Sequence, residues 1–308
     1  MELPDKFKKP YRHWSDHLSA KRNTLLQMEE FPGDKKLLEN IIVFVNERLK
    51  IWEKKTLGET PPYTRDSILA KYKFCNVFRE LDRQTIEFHE LLNSLREDFP
   101  LWLLNVFYCR MVARSETLKI VGLLSFDNQD NRQLYSRLME SSRPRFGNAY
   151  VFPVSVIQKS RTPTREKFIT EYLPEIVPLV SDEIKKWKRL AVFDALDKII
   201  PIFGFNLRFL WTEVLIDVGY QFPEYIDLFG RFSIGPGALS TLRLLNFKEE
   251  PSSLVMRLSN LNVDTGLTYN GQMLRLSPEN WEGIACEYRK YSNLKLGKGR
   301  KRLYAIGR

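Results

Sequence analysis

Gly235 and Gly237 flank Pro236 in the stretch RFSIGPGALSTLRLL, residues 231–245. Such a turn can aim successive backbone amides at an anion where a helix begins, here from Ala238 onward, and a phosphate or pyrophosphate would fit it. A plain helix start explains the same residues. A second charged feature is KYKFCNVFRELDRQTIEF, residues 71–88. Phe74, Val77, Phe78, Leu81, Thr85 and Phe88 follow the three-to-four spacing of one buried helical side, so the stretch predicts a helix. Arg79, Asp82 and Arg83 then share a second face, where Asp82 pairs with Arg79. The plain alternative is a solvated salt-bridge ladder, which contributes little to stability.

A third segment, ALDKIIPIFGFNLRFLWTEVLIDVGY at 195–220, reads as helix, tight turn, helix. Pro201 and Gly204 in IPIFGF are the Pro and Gly of a helix-hairpin-helix turn, as in DNA glycosylases. There the turn amides and the next helix N-terminus face a DNA phosphate without reading a base. Ile202 replaces the glycine usual after the proline, and an ordinary hairpin of core helices accounts for the segment as well. The last helical segment begins at LSPENWEG, where Ser277 can cap and Pro278 can occupy the first turn. It carries Glu287 and Lys290 and runs into KLGKGRKRLYAIGR. Lys295, Lys298, Arg300, Lys301 and Arg302 crowd that tail, which favours a polyanion such as nucleic acid through counterion release. A solubilising tail is the alternative.

Several chemistries are poorly supplied. The three cysteines, Cys75, Cys109 and Cys286, are far apart and give no CxxC pair, so free thiols are expected. The three histidines are His13, His17 and His89. His13 and His17 are four apart, but no third ligand stands near them in sequence, and no metal site is expected. Neither a GxxxxGK[ST] loop nor a GxGxxG fingerprint occurs in the 308 residues.

The elements that must position these residues are helical. Stretches at about 12–31, 35–55, 64–96 and 99–125 have helical periodicity, separated by FPGD, GETPPYT and EDFP. SSRPRFGNAYVFPVSV predicts a short extended excursion near 144–157, a candidate site wall. Helical periodicity then resumes. With 43% hydrophobic residues and no repeat or low-complexity linker, one helical domain over 1–308 is expected, in two lobes at about 1–140 and 160–308. The net charge of +10 fits the basic tail. No run of about 18 apolar residues and no signal peptide is seen, so a cytoplasmic protein without membrane contact is expected.

Taken in order, FCNVFRELDRQT, FYCRMVARSET, RFGNAYVFP, IPIFGFNLRF with IDVGY, GPGALSTL, and CEYRKY followed by GRKRLY resemble the α-glutamyl/putrescinyl thymine pyrophosphorylase family. These are helical proteins of phage DNA base hypermodification, also found fused to 5-hydroxymethyluracil DNA kinases, and the likeness runs from about residue 70 to the C-terminus. The resemblance implies an all-α, helix-hairpin-helix, DNA-glycosylase-like fold with a cleft between two helical lobes. It implies a transferase in which an amino acid or polyamine displaces pyrophosphate from 5-pyrophosphorylmethyl-uracil in double-stranded DNA. Two positions depart from the family pattern: Arg289 stands where an acidic residue is common, and Arg114 where an asparagine is.

On that reading Arg79, Arg83, Arg110 and the amides of Gly235 and Gly237 would hold the leaving pyrophosphate, with Asp82 steadying an arginine. Asn148, Tyr150 and Lys290 would face substrate. Asp217, Glu116 and Glu287 are the candidates for the base that neutralises the amine, Asp217 ranked first because it follows the hairpin as glycosylase carboxylates do. Phe146, Tyr150 and Phe152 could stack on a flipped base or pack in the core. Gly204, Lys298, Arg300, Lys301 and Arg302 would contact DNA. No cofactor is required, Mg²⁺ is admitted, and a 5-hydroxymethyluracil DNA kinase is a candidate partner in the infected host's cytoplasm. The rival readings are a catalytically silent DNA-binding module and a glycosylase acting on a modified base.

Overall fold

The computed structural model describes residues 1–18, 25–147 and 152–299. Helices carry the fold, as expected, and the named strands are two-residue pairs. The principal helices in chain order are α1 (Lys35–Thr56), α2 (Arg83–Leu91), α3 (Phe99–Val112), α4 (Leu173–Ile184), α5 (Val192–Phe203), α6 (Arg208–Gln221), α7 (Pro236–Leu245) and α8 (Pro278–Lys295). They group into two compact units, but not at the break expected near 140–160. One unit joins Met1–Asp82 to the chain from Leu228 onward, and the other is Arg83–Asp227.

The discontinuous unit is built on α1, α7 and α8. Asp34 caps α1 by accepting the Leu37 amide at 2.9 Å. Ser277 and Asn280 form a reciprocal capping box at α8, with Pro278 in the first turn, as the sequence predicts. Phe44 and Ile51 of α1 pack with Leu69 and with Tyr291 of α8. Gly237 lets α7 approach α8 closely, since a Cβ there would lie 2.5 Å from Cys286 Sγ. Backbone bridges Glu2 to Thr268, Leu18 to Leu274 and Leu26 to Leu261 bind the two chain segments together.

Those pairings also explain why the helix expected over 12–31 does not form. Its described parts make short 3₁₀ turns at His13–His17 and Met28–Glu30. The helix expected over 64–96 is broken as well. After Ser67–Lys71 the chain runs without helix through 72–78, makes a 3₁₀ turn at Arg79–Leu81 and restarts as α2. Side chains bind the backbone groups that a helix would pair internally. Arg48 donates to the Phe74 and Cys75 carbonyls at 2.9 and 3.1 Å, while Glu287 and Asp82 accept the amides of Cys75 and Asn76 at 3.2 and 2.7 Å.

In the 83–227 unit α3 is buried on nearly every side and packs against α4 and α6. The helix expected over 99–125 is two helices, parted at Ala113 in the left-handed region (φ 50°), with the second at Ser115–Val121. α5 and α6 form the expected helical hairpin, bent by 120° at the break. Gly204 closes α5 at φ +83°, and its amide donates to Ile200 O at 3.0 Å, so the glycine meets a backbone need. Pro201 lies inside α5 rather than in the turn. The excursion near 144–157 is helical at Val154–Ser160, because Pro153 precedes a run that can start a helix. Among the described residues no single helix is long and apolar enough to cross a membrane.

Candidate active site

Helical spacing lines up Glu279, Glu282, Gly283, Cys286, Glu287 and Lys290 along α8. Arg79, on the 3₁₀ turn before Asp82, lays its methylenes over Gly283, where an added Cβ would meet Arg79 Cδ at 3.3 Å. Its Nε stands 3.4 Å from Glu279 Oε1. Glu282 Oε1 accepts the Gly235 amide at 3.1 Å. Glu287 accepts the Cys75 amide with one oxygen and Lys290 Nζ with the other, at 2.5 Å. Arg289 Nη2 lies 3.9 Å from where a Gly237 Cβ would be. Arg79, Asp82, Gly235, Gly237, Glu287 and Lys290 therefore belong to one unit and gather around one helix.

The charges there bias one another. Burial raises the Asp82 carboxyl to about 6, and Glu287 adds to the rise, while the Asn76 amide, Arg79 and Arg48 oppose it. Asp82 is half-buried as a residue. Burial would lower Lys290, but Glu287 outweighs it and holds the ammonium well above its ordinary value. Burial pushes the Cys75 and Cys286 thiols up, so neither is poised as a thiolate nucleophile. The anion expected on the 235–237 turn has a counterpart in the protein itself, since the Glu282 carboxylate takes the Gly235 amide.

Other expected site residues lie in the 83–227 unit and do different work. Arg110 grips Asp217 through Nε at 2.6 Å and Nη2 at 2.5 Å, and His89 Nε2 adds a third contact at 3.0 Å. Gln221 Nε2 lies 3.3 Å from His89 Nδ1, which fixes Nδ1 as acceptor and Nε2–H as donor to Asp217. Asp217 is fully buried and Arg110 is 4% exposed. Burial works to raise the Asp217 carboxyl, but Arg110 and His89 outweigh it and bring it to about 2. A carboxylate so placed is a poor proton acceptor, which corrects its ranking as first candidate base. Arg110 is likewise committed to Asp217 rather than open to pyrophosphate.

Arg83 does not share a helical face with Arg79. It begins α2, is 75% exposed and pairs with Glu87 at 3.4 Å. Glu116 is exposed beside Arg114, and its own helix-start amide holds its carboxyl below the usual range. Lys298 is exposed, and its amide bonds Asn293 O at 2.7 Å. Asn148, Tyr150, Arg300, Lys301 and Arg302 lie outside the described residues. The expected site wall does line a pocket of about 470 Å³, formed by Arg143, Pro144, Arg145, Phe146 and Glu166. Phe146 and Phe152 both stack against Arg165, at 4.0 and 5.5 Å, so they pack around a guanidinium. The structure also supplies what the histidine pair lacks in sequence, since Glu80 meets both His13 and His17. No local signal ties residues 67 apart.

An all-helical protein, with its mixed-charge cluster set along the last helix, is what fold and site define. The model of the 5-hmdU DNA kinase helical domain matches residues 35–301, and the chain belongs to that family. A relative, the 5-hmdU DNA kinase of Bacillus phage SP10, is 26% identical over 293 residues, covering 81% of this chain and 44% of the relative. The chain thus spans less than half of that relative's length. No solved structure matches. The resemblance read from the motifs is borne out in its coarser part, the helical domain of 5-hmdU DNA kinases.

Proposed function

We propose that this protein is a transferase of phage thymine hypermodification, acting in the infected cell on double-stranded DNA that bears 5-pyrophosphorylmethyl-uracil. The amine of an amino acid or polyamine attacks the 5-methylene carbon, the carbon–oxygen bond to pyrophosphate breaks, and pyrophosphate leaves with the bonding electrons. The proton lost by the amine goes to a carboxylate. Asp82 takes that role better than Asp217, Glu116 or Glu287. A base near pH 6 accepts a proton at neutral pH, whereas Asp217 is locked by Arg110 and Glu287 by Lys290 and the Cys75 amide.

The observation that carries this reading is Asp82, half-buried among Arg79, Arg48 and Glu287 in a chain of this family. Arg79, Lys290 and Arg289 supply cations near the turn at 235–237, and a pyrophosphate would displace Glu282 from the Gly235 amide. Mg²⁺ on the pyrophosphate oxygens is compatible with the carboxylates present. The phosphorylated substrate would come from an enzyme such as a 5-hmdU DNA kinase; these 308 residues carry no P-loop. The hairpin of α5 and α6 and the basic tail would hold the DNA backbone.

Mass spectrometry of nucleosides from 5-pyrophosphorylmethyl-uracil DNA, incubated with the protein and a pool of amines, tests the proposal. A 5-aminomethyl-linked nucleoside is expected, with a rate that climbs through about pH 6 and levels off. Asp82→Asn should flatten that profile and cut the rate about 10²-fold or more. Unchanged nucleosides in DNA that is bound would replace the transferase with a binding module, and abasic sites would replace it with a glycosylase.

A further inference from the structure

His13, His17 and Glu80 are 2%, 1% and 0% exposed. Their ligand atoms lie within 4.8 Å of one another. Nε2 of His13 and of His17 stand 2.8 and 3.2 Å from Glu80 Oε1. Tetrahedral zinc ligands held at 2.0–2.1 Å from the ion sit about 3.3 Å from each other, so small side-chain shifts would suit this cluster to one.

The proton count gives the second argument. His17 Nδ1 lies 2.6 Å from the Arg275 carbonyl, which can only accept, so Nδ1 carries a hydrogen. In the neutral ring Nε2 then turns a lone pair toward Glu80 Oε1, itself an acceptor. Two facing acceptors need a proton or a metal ion between them. Glu80 Oε2 is buried with no hydrogen-bond partner among the described residues, a costly state for a carboxylate. A histidine that anchors its far nitrogen on a backbone carbonyl and offers the near one is the usual outer-shell arrangement of a metal ligand.

We infer that His13, His17 and Glu80 bind one divalent transition-metal ion of the zinc class. Three protein ligands leave one position for water. Trp14 stacks on His13 at 4.8 Å and Phe229 meets His17 edge-on at 5.0 Å, so the ion would sit in an aromatic box. The ion would pin the 13–17 turn to the 79–81 turn, and through Arg275 to the segment before α8. The inference does not rest on the proposed transferase chemistry, since none of the three ligands is assigned a part in it.

Elemental analysis of the 308-residue protein, purified without chelator, should find about one equivalent of zinc, and Co²⁺ added to metal-free protein should give the visible bands of a tetrahedral site. Chelation should lower the melting temperature by several degrees, with recovery on adding Zn²⁺. His13→Gln and Glu80→Gln should lose the cobalt bands while circular dichroism stays helical. If either variant fails to fold, the wild-type cobalt spectrum and melting shift still decide. Wild-type protein with no metal, no tetrahedral cobalt spectrum and a melting temperature indifferent to chelator and Zn²⁺ would overturn the inference and leave a histidine–carboxylate ion pair. Folded variants that keep the cobalt bands would also overturn it.

Discussion

Asp217→Asn separates a structural from a catalytic role for the residue that follows the helical hairpin. The substitution keeps shape and volume but removes the charge opposite a guanidinium that is 4% exposed. One carboxylate oxygen becomes an NH₂ group facing the Arg110 or His89 donors, in place of contacts at 2.5–3.0 Å. The drop of the Asp217 carboxyl from 3.8 to about 2 corresponds to about 2 kcal/mol of preference for the charged form. Removing the carboxylate from a buried guanidinium–carboxylate pair brings the loss into the range of about 3–5 kcal/mol. For a chain of this size that is roughly a 10 °C fall in melting temperature. Thermal and urea denaturation measure it, with nucleoside mass spectrometry run on the protein that remains folded. Arg110→Met with Asp217→Leu should be less destabilised than either single change, because an apolar pair strands no charge. A loss under about 1 kcal/mol, with product formation abolished, would refute the reasoning and return Asp217 to the role of base.

Acid titration follows from the same pair. Asp217 is lowered on folding, so its contribution is complete above about pH 4 and is lost as pH falls through about 2; Asp217→Asn should flatten the acid limb of a stability–pH curve. Asp82 has the opposite sign. Its carboxyl is raised on folding, so stability declines as pH climbs from about 4 to about 6, and Asp82→Asn should melt higher than wild type at pH 7 while losing activity. Gly237→Ala should part α7 from α8, because the new methyl meets Cys286 Sγ at 2.5 Å; a loss of about 1–3 kcal/mol is expected, with recovery when Cys286→Ala is added. Gly204→Ala forces a side chain into φ +83° and should cost about 1 kcal/mol by denaturation, without changing the salt dependence of DNA binding if the turn amide serves only α5.

The all-helical class was legible because it rests on local periodicity and caps. α1, the hairpin of α5 and α6, and the Ser277–Pro278 start of α8 each stand where a cap, a turn glycine or apolar spacing puts them. The 71–82 stretch was not legible, for a reason that bears on function. Its three-to-four apolar spacing suits a helix, yet Arg48, Glu287 and Asp82 capture its backbone groups from elsewhere in the unit. Propensity is a weak prior against such tertiary competition. The same unwinding removes Arg79 and Asp82 from the ladder they would form on a helix. It turns Arg79 toward Glu279 and leaves Asp82 half-buried beside Glu287. Charges wasted on a solvated face thereby become a perturbed acid among cations, in a unit that joins residues 1–82 to the chain from Leu228 onward. Neither the Asp82 environment nor the meeting of His13, His17 and Glu80 has a signature at short range. His13 meets Glu80 67 residues on, His17 meets the Arg275 carbonyl 258 residues on, and Glu287 of α8, which bears on Asp82, takes the Cys75 amide from 212 residues away.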